Sequence, residues 1–212
     1  LLFHFLQVHG YAGEPFMINT KINGVDALRR ALVSGMEYLD TQGTDKEWND
    51  VKDTLRGFGF EAGWGRSIEG IQKSFSILAD LMEAPDNQNL ERFIRRVPMI
   101  FNLAILSPHG YFGQENVLGL PDTGGQVVYI LDQVKALERE MQDRLYKQGL
   151  DIKSEILIIT RRIPEAGETT CDQAEEHVEG TDNVRIIRVP FRNHDGSVVP
   201  HWISRFEVWP YL

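Results

Sequence analysis

The side chains able to bind or move charge gather in one stretch, SPHGYFGQENVLGLPDTGGQVV, residues 107–128. Gly124 and Gly125 stand directly before a helical apolar pattern. The first N–H groups of a helix have no intrahelical partners, and the aligned peptide dipoles leave partial positive charge there. Adjacent glycines let an anion reach that backbone without meeting a Cβ. The chemistry offered is phosphate binding, although the spacing alone is equally compatible with a tight strand-to-helix turn. It is not a Walker loop, because no Lys followed by Ser or Thr comes after the glycines, and it is not G-x-G-x-x-G. Gln126, the first helical side chain, can add an amide donor at the same place.

His109 follows the C-terminal end of an apolar strand pattern, where open α/β sheets place ligands. A lone loop histidine can equally be a packed residue bonded to its own loop. Gly110 and Asn116 share that loop. Arg205, in WISRF, carries a guanidinium fork that can bond several hydroxyls or a phosphate at once, the alternative being a surface salt bridge. Asp122 and Thr123 have the short side chains that bond nearby backbone and are expected to shape the turn. Arg161 and Arg162 form a loop pair of the kind that is usually solvated.

Other chemistries find no residues to carry them. No pair of carboxylates has the arrangement of a glycoside hydrolase, and no two aspartates lie two residues apart as a D-x-D metal motif requires. The net charge of −9 argues against non-specific nucleic-acid binding, which depends on basic patches. Cys171 is the single cysteine, so no intrachain disulfide forms, which fits a reducing cytosol. No apolar run approaches membrane-spanning length, and a soluble protein is expected.

Two kinds of element must position these residues. Before Pro98 the pattern is helical. Val25, Leu28, Leu32, Met36 and Leu39 form one stripe, while Trp48, Val51 and Leu55 form a second. Ile68, Ile71, Phe75, Leu78 and Met82 form a third behind Ser67 as N-cap, and Leu90, Phe93 and Ile94 lie in a helix from Asn89 to Arg96. After Pro98, residues 100–106 read as a strand buried on both faces. A long helix follows, with Val127, Ile130, Leu131, Val134, Leu137, Met141 and Leu145 on one stripe, Glu138 among the polar residues off it, and Gly149 as C-terminal cap. Residues 155–160 and 184–189 read as further buried strands, 172–178 as a short helix, and 202–212 as helical with Trp202, Phe206 and Trp209 near one side. Strands alternating with helices predict an α/β fold with a parallel sheet and a βαβ crossover.

The segment from Ser107 to Glu138, together with RVPFR and WISRFEVWPYL, closely resembles the sucrose synthases, and the likeness extends over almost the whole chain. These are retaining glycosyltransferases of GT-B fold that interconvert sucrose plus a nucleoside diphosphate with the nucleotide-glucose plus fructose. The resemblance implies a helical domain over 1–97, of a kind implicated in peptide binding and subunit contacts, and part of a Rossmann-like GT-B domain over 98–212. It implies catalytic roles for His109 and Gln126. His109, Gly110, Asn116 and Arg205 would lie on the fructose side, and Gly124, Gly125 and Gln126 would face the phosphate and the transferred glucose. The Arg–Lys pair on the diphosphate and the glutamate near the glucose belong to the family's second Rossmann half, so the chain is expected to be an inactive fragment. No metal or other cofactor is expected, with UDP or ADP as nucleotide. A cytoplasmic homo-oligomer, a tetramer by resemblance, is implied. Two alternatives stay open: sucrose-phosphate synthase, which shares a DTGGQV loop but uses fructose 6-phosphate and lacks the upstream helices, and a non-catalytic interaction module.

Overall fold

Apolar residues spaced three and four apart give the first part of the chain its helices: α1 (Leu2–Val8), α2 (Val25–Asp40), α3 (Trp48–Phe58), α4 (Ile68–Glu83) and α5 (Asn87–Ile94). The computed structural model describes residues 1–211. The chain divides into two compact units: Leu1–Phe101 with Gln142–Ile152, and Asn102–Met141 with the chain from Lys153 onward.

In the first unit, aromatic side chains make the centre of the core. The Phe75 ring lies 4.3 Å from that of Phe60 and 4.9 Å from that of Trp64, whose indole N–H donates to the Met17 carbonyl. Ser67 caps α4 as expected, its Oγ accepting the Gly70 N–H at 3.1 Å. Asp86 accepts the N–H groups of Gln88 and Asn89, so α5 begins at Asn87, two residues earlier than its apolar pattern indicates. Phe93 is buried beneath it, but Leu90 is 40% exposed. The unit is not wholly helical, because β1 (Gly10–Tyr11) and β2 (Glu14–Pro15) form a short antiparallel hairpin.

The second unit is built on a mixed sheet. Strands β3 (Asn102–Leu106), β4 (Glu155–Arg162) and β6 (Val184–Pro190) are parallel neighbours in that order, and β5 (Glu175–His177) adds an antiparallel edge beside β6. Helix α6 (Gly125–Lys147) connects β3 to β4. Val127, Ile130, Val134 and Met141 of α6 pack in one core with Ile156, Ile158, Val184 and Ile186 of the sheet. The last residues of α6 belong to the first unit, where Leu145 and Leu150 are buried. Gly149 ends the helix at φ +80°, with its N–H on Tyr146 and the Leu150 N–H on Leu145.

Four expectations are corrected. Strand β3 is not buried on both faces: it is an edge strand, Leu103 and Ile105 face the core, and Leu106 on the alternate side is 67% exposed. Glu138 is buried, its carboxylate accepting the N–H groups of Asp182 and Asn183 in the turn between β5 and β6. Residues 175–177 are strand rather than helix, because ladder bonds to β6 and the Glu175–Arg185 ion pair hold them extended. Residues 202–204 and 208 are irregular, 205–207 form a turn and only Trp209–Tyr211 makes a 3-10 turn, with Phe206 and Trp209 exposed. The Arg161 guanidinium donates to the carbonyls of His201 and Ile203 within this non-helical segment. Leu212 lies outside the described residues.

Candidate functional site

The second unit presents an open cleft of about 320 Å3, lined by His109, Asp122, Thr123, Gly124, Gln126 and Arg205. Three stretches of chain build it: the loop leaving β3, the turn entering α6, and the segment before the 3-10 turn. The first is anchored where the Ser107 N–H donates to the Ile159 carbonyl, prolonging the β3–β4 ladder.

The first two stretches lock together through Gly110 and Thr123. Gly110 is buried at φ +67°, and a Cβ there would stand 2.3 Å from the Asp122 carbonyl oxygen. Only glycine permits that approach. Beside it the Tyr111 N–H donates to Thr123 Oγ1 at 2.8 Å. Gly110 therefore serves contact between the two loops, and it does not line the cleft.

Gly124 and Gly125 behave differently. Neither has positive φ, and a Cβ on either would meet nothing within 4 Å. The packing of the chain places no demand for glycine there, and the open space lies at the N-terminus of α6, where donor N–H groups and positive dipole potential are available. The Gln126 side chain lines the same space.

Asp122 does more than shape its own turn: its Oδ2 accepts the Arg205 N–H at 3.0 Å. His109 is half-buried, and its Nδ1 is enclosed without a hydrogen-bond partner. Asn116 lies apart from the cleft, at φ +56°, its amide donating to the Glu168 carbonyl at 3.2 Å. Arg161, read from the sequence as solvated, is 1% exposed. Burial pushes its guanidinium pKa down from the ordinary value, against the opposing influence of Tyr111 and Tyr211. Nothing local in the sequence marks Asp122 or Arg161 as partners of the Arg205 segment, which lies 40 or more residues away.

Beneath the His109 loop sits a second buried cluster. The Arg188 guanidinium pairs with the Glu176 carboxylate and donates to the Phe112 carbonyl at 2.9 Å, and Gln114 donates to the other Glu176 oxygen. Burial raises the cost of the Glu176 charge, but the bonds from Thr170, Arg188 and Gln114 outweigh it and hold its pKa below the ordinary value of 4.5.

The cleft thus brings the N-terminus of α6 together with an amide residue, a histidine, an arginine, a hydroxyl residue and the Asp122 carboxylate around one open space, the Arg205 guanidinium lying 5.0 Å over the Phe206 ring. That set suits an anionic or hydroxyl-rich ligand. Among the described residues no three His, Cys, Asp or Glu side chains are grouped to hold a metal, and no helix is long and apolar enough to cross a membrane.

Residues 88–212 match the family described as sucrose synthase first GT-B domain, and residues 1–66 match the sucrose synthase EPBD domain. The chain is 53% identical over 211 residues to a sucrose synthase of Solanum tuberosum. It is 51% identical over the same length to sucrose synthases of Denitrovibrio acetiphilus and Nitrosomonas europaea. Each alignment covers 100% of this chain and 26% or 27% of the relative. The chain therefore spans about a quarter of the length of the curated relatives it matches.

Proposed function

The chain belongs to the sucrose synthase family, and from that premise we propose that it supplies the acceptor-side wall and the phosphate-facing loop of a reversible, retaining glucosyl transfer. In the cleavage direction the bond between the glucose anomeric carbon and the fructose oxygen breaks. Glucose passes to the distal phosphate oxygen of UDP or ADP, and the departing fructose oxygen takes up a proton. The N-terminus of α6 and the Gln126 amide face the phosphate and the transferred glucose. His109 and Arg205 bond fructose hydroxyls, with Gly110 and Asn116 shaping the loop that carries His109. Charge developing in an oxocarbenium-like transition state is met by donors already in place.

What supports this reading is the meeting of His109, Gly124, Gln126 and Arg205 at one cleft, with open space where Cβ atoms at Gly124 and Gly125 would be. The relatives named above are sucrose synthases, which favours free fructose over fructose 6-phosphate as acceptor. No metal is assigned a role, and the setting is a cytoplasmic homo-oligomer. The test is initial-rate kinetics of the intact enzyme carrying Gln126→Leu, which removes the amide and keeps the bulk. A fall in kcat with a smaller change in fructose KM is expected. An unchanged kcat would take the loop out of the reaction.

A further inference from the structure

Arg161 is the largest buried charge in the second unit that no carboxylate partners among the described residues. Its Nη2 donates to the His201 carbonyl at 2.6 Å and its Nη1 to the Ile203 carbonyl at 3.4 Å, while its Nε is enclosed without a partner. The guanidinium carbon stands 5.1 Å from the centre of the Phe191 ring, which packs with Val199 and Val208 and stacks on Tyr211. Burying a charge on these terms is costly, and an apolar side chain would fill the same space without that cost. What an apolar side chain cannot do is hold two carbonyls two residues apart, which a planar fork of donors does.

Those carbonyls lie just before Arg205, whose own N–H is taken by Asp122. The segment reaching the cleft is therefore held at both ends of a five-residue stretch that has no regular secondary structure of its own. We propose that Arg161 is a positioning residue for the acceptor side of the reaction: its fork fixes residues 201–203 so that Arg205 stands in the wall of the cleft. The inference rests on the acceptor role given to Arg205 above.

The experiment uses the intact enzyme with Arg161→Met, which keeps bulk, and Arg161→Lys, which keeps charge without the fork, alongside Arg205→Ala. Amide hydrogen exchange and synthesis-direction kinetics are measured on each. Both Arg161 variants are expected to speed exchange across 201–207 while β4 and β6 stay protected, and to raise fructose KM about tenfold with nucleotide-glucose KM within about twofold. The double variant with Arg205→Ala should be no worse in fructose KM than Arg205→Ala alone, as residues acting through one another require. Unchanged exchange across 201–207 would overturn the positioning role, as would lost protection of β4 and β6 in both Arg161 variants. So would additive effects, or a fructose KM that rises with Arg205→Ala and not with the Arg161 variants. If Arg205→Ala itself leaves fructose KM unchanged while exchange is accelerated in the Arg161 variants, it is the acceptor assignment of Arg205 that falls.

Discussion

The carboxylate of Asp122 accepts the backbone N–H of Arg205 at 3.0 Å, joining the turn before α6 to a segment 83 residues further along the chain. Asp122 also lines the cleft and its backbone carbonyl closes over Gly110, so a single residue, through its side chain and its backbone, relates all three stretches that build the site. Asp122→Ala should leave the fold intact and loosen Arg205. The loss of about 1 kcal/mol corresponds to roughly a fivefold rise in fructose KM, with nucleotide binding little changed. Steady-state kinetics with each substrate varied in turn checks the split.

The glycines of the two loops should respond oppositely to substitution. Gly110→Ala forces a Cβ into the Asp122 carbonyl at positive φ, and should destabilise the protein by on the order of 2 kcal/mol in a thermal melt.

Gly125→Val meets no such clash, so its melt should stay close to that of the parent. Turnover should fall strongly, since a β-branched side chain would occupy the space through which a phosphate reaches the helix N-terminus. Circular dichroism beside kinetics separates the effects, and full turnover in this variant would count against a phosphate-facing role for the loop.

His109→Ala should raise fructose KM and lower kcat, because an acceptor hydroxyl misplaced by about 1 Å can cost on the order of 100-fold. Nucleotide affinity should change far less, as measured by titration calorimetry. Equal losses toward both substrates would argue for general damage to the loop.

The Glu176–Arg188 pair predicts an acid-sensitive fold. The folded-state pKa of Glu176 lies below its unfolded value, so its stabilisation is present above about pH 4.5 and is lost as pH falls through the folded value. Melting temperature should drop on acidification below that point. Glu176→Gln should lower stability at neutral pH and flatten the acid limb, as a pH series of melts would reveal.

Local patterns were enough to place most elements. The stripes of α2, α3 and α4, the Ser67 cap, the Gly149 terminator and the apolar runs of β4 and β6 all act within a few residues, over which side-chain periodicity and capping chemistry operate. Family likeness singled out His109, Gly110, Asn116, Gly124, Gly125, Gln126 and Arg205; the structure sets His109, Gly124, Gln126 and Arg205 around one cleft, while Gly110, Asn116 and Gly125 are not among its lining residues.

What tertiary structure decided is where long-range partners override local preference. Residues 202–208 have helical composition, yet they follow a non-helical path, with Arg161 donating to the carbonyls of His201 and Ile203 from 40 and 42 residues away. Residues 175–177 could not be read as strand without β6 beside them, and Glu138 looks like a solvated helix residue until the β5–β6 turn brings two N–H groups to its carboxylate. Leu106 reads as core and stands exposed, because burial depends on which neighbours a strand acquires on each side. Sequence spacing encodes the faces of an element. The hydrogen bonds that cross between elements follow from packing, and it is those bonds that aim Arg205 and seat Gly110 beneath Asp122.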